Sequence, residues 1–87
     1  MEIKIGTIVK ATAGRDAGKL FVVISILDDY AIIANGKSRK LEKPKNKKIK
    51  HLKYVCEGES ANDQLTDAKL RKTIGRYTKD LIENQAE

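Results

Sequence analysis

The sequence predicts a small, mainly β protein: a strongly bent barrel of short strands followed by one C-terminal α-helix. Three observations carry that expectation. The chain has 87 residues, enough for one domain with a modest core. Its first two thirds contain short runs rich in β-branched residues, separated by glycine, aspartate and asparagine turn signals. After residue 65 the apolar spacing changes to that of a helix face.

The elements follow in order. Ile5 to Ala11, "IGTIVKA", has apolar residues at 5, 8, 9 and 11 and reads as a strand. Gly6 near its start marks a place where another backbone approaches closely. Leu20 to Leu27, "LFVVISIL", is almost continuously apolar, as a strand buried on both faces would be. Asp28-Asp29 makes a polar turn, and Tyr30 to Ala34, "YAIIA", is a third strand. Asn35-Gly36 predicts a tight type I′ hairpin, because both residues tolerate positive φ. Ser38 to Leu41 is then the returning strand, which Pro44 ends or confines to an edge. Ile49 to Val55, "IKHLKYV", alternates loosely and reads as one more short strand or a turn that closes the sheet. Closure of a barrel hides most strand edges.

Glu57 to Gln64 is polar and loop-like. Thr66 is a suitable N-cap, with Asp67 in the electropositive first turn. Leu65 and Leu70 have the spacing of a hydrophobic staple. Leu70, Ile74, Tyr77 and Leu81 form one apolar stripe on a helix over about 66 to 84. Gly75 interrupts it at a cost of about 1 kcal/mol relative to Ala. The expected organisation is a barrel over 1–56, a linker over 57–65 and a helix over 66–84 that packs on the barrel. The same stripe offers a surface to a protein partner or a second copy.

The segment "AGRDAGKLFVV", residues 13 to 23, superficially suggests a phosphate-binding loop. A P-loop needs four residues between its glycines and a hydroxyl after its lysine. Here three residues separate Gly14 and Gly18, and Leu20 follows Lys19. A strand, not a helix, comes next. The nucleotide reading is therefore set aside.

Charge distribution points elsewhere. The chain carries a formal net charge of +6. Between Lys37 and Lys53 there are nine basic residues and one acid, Glu42, while the rest of the chain is slightly acidic. Positive charge concentrated in this way is a footprint for a polyanion. The single cysteine, Cys56, forms no internal disulfide and suits a reducing compartment, so a cytoplasmic location is expected. No apolar run reads as a signal peptide or a bilayer span, so no membrane partner is expected. No Cys/His cluster has metal-ligand spacing, and no cofactor is expected. Adjacent Asp28 and Asp29 read as a turn rather than a catalytic pair, and His51 has no nucleophile with which to form a constellation.

The stretch "GTIVKATAGRDAGKLFVVISILDDYAIIANG" resembles the KOW motif of ribosomal proteins and NusG-type transcription factors. Gly18 falls at the motif's characteristic glycine. The "AGRDAGK" loop, the "DD" turn, the "NG-x-x-R-K" segment and the "KHL" at 50 to 52 extend the likeness over residues 4 to 53. In that order they are similar to the eukaryotic-type fourteenth-protein family of the large ribosomal subunit and its small bacterial relatives. The helical tail lies outside the ribosomal pattern but looks like that of the short bacterial members. The resemblance implies an SH3-like barrel, no enzymatic activity, and binding to RNA, usually rRNA, on the ribosome. It also leaves a second reading, a protein-interaction module of the NusG-like kind.

The residues expected at an RNA interface fall in two groups. The loop contributes Gly14, Arg15, Gly18 and Lys19, the glycines bringing backbone amides close to a phosphate and Arg15 forking onto it. Asp16 is expected to organise the loop or to pair with Arg15. The basic run contributes Lys37, Arg39, Lys40, Lys43, Lys45, Lys47, Lys48, Lys50 and His51, laid along a backbone groove. Tyr30 and Tyr54 are candidates to stack on bases. Phe21 and Tyr77 are expected in the core. So few aromatics favour recognition by shape and phosphate.

Overall fold

The computed structural model describes residues 2–58 and 65–85, with side chains described as far as Thr78. Five antiparallel strands form one strongly bent sheet, a small SH3-like barrel, and one helix follows. The strands are β1 (Ile8–Ala11), β2 (Leu20–Leu27), β3 (Tyr30–Ala34), β4 (Lys45–Lys48) and β5 (Leu52–Cys56), in the order β4-β3-β2-β1-β5. A 3-10 turn, Ile49–His51, links β4 to β5, and α1 spans Asp67–Gln85.

β2 shows why the sequence reads as it does. Its inward residues, Phe21 and Val23, join Val9, Ala11, Ala31, Ile33 and Leu52 in the barrel interior. Its outward residues, Val22 and Ile24, join Ile8, Ala34 and the helix residues Leu70, Ile74 and Tyr77 in a second cluster. The strand is therefore buried on both faces. A register shift between Val23 and Ser25 turns Ile26 back to the interior and bends the strand.

Asp28 takes a positive φ of 54° in the two-residue turn between β2 and β3. This is a conformation that aspartate tolerates better than most residues.

Four sequence expectations are corrected or narrowed. β1 begins at Ile8 rather than Ile5. Gly6, at φ 94°, turns the chain beforehand, and the backbone of Gly58 lies against its carbonyl. Asn35-Gly36 is not a type I′ turn, since Asn35 keeps a negative φ. Its side-chain Oδ1 instead accepts the amides of Lys37 and Arg39 at 3.0 and 2.9 Å, organising a longer loop. Ser38 to Leu41 is consequently no strand, and the strand returning along β3 is Lys45–Lys48. The segment from Ile49 divides into the 3-10 turn and β5.

α1 begins as its cap predicts, with the Lys69 amide donating to Thr66 Oγ1 at 3.1 Å. Leu70 is 1% exposed, and Leu65 packs on the same cluster. The helix start is also pinned to the 35–41 loop. Leu41 N–H donates to Asp67 Oδ1 at 2.8 Å, and Arg71 Nη1 donates to the Gly36 carbonyl at 2.6 Å. Gly36, at φ 75°, has the Asp67 carbonyl where a Cβ would stand, so only glycine lets the helix approach. The side chain of Leu81 and residues 59–64 of the expected linker lie outside the described residues.

Candidate nucleic-acid interface

The glycine loop between β1 and β2 is tied down on three sides. Thr12 donates both its amide and its hydroxyl to the His51 carbonyl, each at 2.9 Å. Lys47 Nζ donates to the Ala13 carbonyl at 2.6 Å and stands where a Cβ on Gly14 would crowd it. Arg39 Nη2 donates to Asp16 Oδ2 at 3.0 Å.

Asp16 is 3% exposed, so its charge needs that partner. Burial pushes its carboxyl up, but the hydrogen bond and charge of Arg39, with Lys19 and Lys47 nearby, hold it below the ordinary carboxylate range. Asp16 thus organises the loop through Arg39, twenty-three residues away, and not through Arg15.

The amides of Ala17, Gly18 and Lys19 donate to the carbonyls of Gly14, Ala11 and Asp16. Gly14 and Gly18, at φ 78° and 88°, serve this tight fold. What the loop presents is the exposed Arg15, which has no hydrogen bond or ion pair among the described residues. Lys19 is exposed beside it at the loop's exit.

The basic run is sorted by the alternation of β4. Lys45 and Lys47 stand opposite the buried Ile33 and Ala31 and are half-buried. Lys48 stands opposite Tyr30 on the other face, its ammonium 5.9 Å from the ring centroid, within cation–π range. Lys50 is exposed on the 3-10 turn, and the side chain of His51 is half-buried. Lys37, Lys40 and Lys43 are exposed on the loop before β4. Arg39, in the same loop, is directed inward, and its Nε is buried without a partner.

The fold therefore leaves Arg15 and Lys19 as outward cations on the loop, and Lys48 and Lys50 as outward cations beside Asp29, and sets Arg39 and Lys47 to holding the loop. Sequence reasoning passed over Lys10, Lys53 and Arg71. Lys10 and Lys53 face each other across β1 and β5, which strand pairing alone reveals.

The remaining titratable candidates carry no reactive arrangement. Cys56 is a half-buried free thiol whose pKa burial pushes up, the opposite of an activated cysteine. Among the described residues no group of three or more His, Cys, Asp or Glu is placed to hold a metal ion. Among the described residues no helix is long and apolar enough to cross a membrane.

Architecture and loop together define a small SH3-like barrel with a KOW-type strand–loop–strand unit and a basic loop end. No family model matches the chain. The chain is similar to the large ribosomal subunit protein eL14 of Desulfurococcus amylolyticus, at 34% identity over 74 residues. That likeness covers 84% of this chain and 77% of the relative. The chain belongs to the eL14 family of large ribosomal subunit proteins.

Proposed function

We propose that this protein is a non-catalytic rRNA-binding component of the large ribosomal subunit or of its assembly, working on cytoplasmic ribosomes. The barrel, residues 1–56, grips structured RNA by shape and phosphate, and the linker and helix follow as an appended unit. One observation carries the reading. The loop that carries the outward Arg15 and Lys19 is fixed by internal bonds, in a chain whose relative is a large-subunit protein. Arg15 and Lys19 at the loop, with Lys48 and Lys50 along the 3-10 side, are the phosphate contacts. Lys37, Lys40, Lys43 and Lys45 extend the field. A fixed loop loses little conformational freedom on binding, so more of the electrostatic attraction is kept as affinity.

The test is sedimentation of lysate through a sucrose gradient at low and at high salt. Migration with the large subunit or its precursors at low salt, and release at high salt, is the expected result. Purified protein should bind rRNA fragments with a log–log salt slope on the order of −4, as for about five phosphate contacts. Protein that stays at the top of the gradient under both conditions would sink the ribosomal reading.

A further inference from the structure

α1 covers only part of the barrel's outer face. Ile8 and Val22 lie paired beneath it in one cluster with Leu70, Ile74 and Tyr77. Two residues further along β1 the same face carries Lys10, directly opposite Leu20 on β2 and Lys53 on β5. Two lysines directly across a strand pair repel each other. Among the described residues neither has a carboxylate at ion-pair distance.

The space beside that row is concave. A cleft of about 380 Å3 is walled by Lys10, Lys53, Tyr54 and Tyr77. At Leu20 it adjoins a groove of about 530 Å3 along α1, which is bordered by Lys19, Lys37, Arg71 and Gly75. Among the described residues neither lining contains an aspartate or a glutamate. Gly75 is a second, independent sign. It stands inside the helix, where Ala would be the better helix former. Among the described residues a Cβ there would meet nothing within 4 Å. The effect of Gly75 is to keep the groove open.

We propose that the seam between α1 and the barrel binds a short unpaired stretch of RNA, with a base against Tyr77 and the adjoining phosphates on Lys10 and Lys53. The strand continues past Leu20 into the groove over Gly75. This rests on the RNA-binding reading above and adds a site that begins beside the loop, at Gly18 and Lys19, and lies apart from β4. Phosphate relieves the lysine pair, and aromatic faces accept any unpaired base. Bases within a duplex do not present their faces, so the seam distinguishes unpaired from paired RNA.

The experiment compares a short labelled oligoadenylate with a labelled RNA duplex, using the full chain. The Lys10→Gln/Lys53→Gln double variant should bind oligoadenylate about tenfold more weakly and the duplex within about twofold of wild type. Its melting temperature should not fall, because a repulsion is removed. Gly75→Leu should raise the melting temperature and still weaken oligoadenylate binding. The chain has no tryptophan, so oligoadenylate should quench tyrosine fluorescence directly, in a Tyr30→Phe background as well.

Unchanged oligoadenylate affinity in the double variant, with duplex binding intact, overturns the seam site and leaves the RNA reading standing. Equal loss of both RNAs in the double variant shows that the seam is not a separate site. Failure of wild type to bind either RNA overturns both readings.

Discussion

Arg39 and Lys48 stand nine residues apart in one basic run, and the fold treats them in opposite ways. Arg39 turns inward and closes on the buried Asp16. Lys48 turns outward over the Tyr30 ring. Lys47, next to Lys48, belongs with Arg39, since strand alternation points it to the barrel end, where it meets the Ala13 carbonyl. A dense run of cations is thus two populations. One shapes the loop, and the other is left with charge to give to a partner. The two should part clearly under mutation, because internal cations act on stability and outward ones on binding.

The largest effect is expected at the clamp. Arg39→Ala strands a buried carboxylate and should cost about 2–3 kcal/mol, measured by urea denaturation, the one-third exposure of Arg39 keeping it below the range for fully buried pairs. A loss under about 0.5 kcal/mol would dissolve the distinction between the two populations. Gly36→Ala comes next, at about 2 kcal/mol, because it combines a positive φ with a collision against the Asp67 backbone. That loss should appear first as faster hydrogen exchange in α1, since Gly36 admits the helix rather than closing the barrel. Lys47→Met keeps the apolar stem but removes the bond to Ala13, and should cost about 1 kcal/mol.

Acid sharpens the same division. A carboxyl held low in the folded state contributes stability above its unfolded pKa, and that contribution is lost as pH falls through the folded value. The stability gap between wild type and Asp16→Asn should therefore be full at neutral pH and narrow below about pH 4. The smallest effect on stability is expected from Lys48→Gln with Lys50→Gln, within about 0.5 kcal/mol. The same pair should reduce the steepness of the salt dependence of RNA binding by between about 1.4 and 1.8. A stability loss as large as that of Arg39→Ala would place these two lysines in the wrong population.

The sequence made some of this legible and hid the rest for physical reasons. β2 and β3 could be bounded to the residue, because each is an apolar run closed by turn residues. α1 was marked by its cap and stripe. β4 had no such signal. "KNKK" contains no apolar residue, and the strand exists through backbone pairing to β3 on one side only. Asn35-Gly36 misled because its two special properties serve separate ends. Asn35 spends its side chain on the loop ahead, and Gly36 its missing Cβ on the helix. At the interface, the concentration of charge was plain in the sequence. The split between Arg39 and Lys48 was not, because it depends on Asp16, which lies far away along the chain and next to Arg39 only once folded.

β4 also matters before any RNA is present. It is the outermost strand on its side of the sheet, where unpaired amides and carbonyls invite another chain to add a strand. A border of lysine, asparagine, lysine and lysine meets a second copy with like charge and no apolar surface. A newly made molecule waiting for its binding site is thereby kept from sheet-to-sheet aggregation, and crowding many copies together should favour dispersal over fibres.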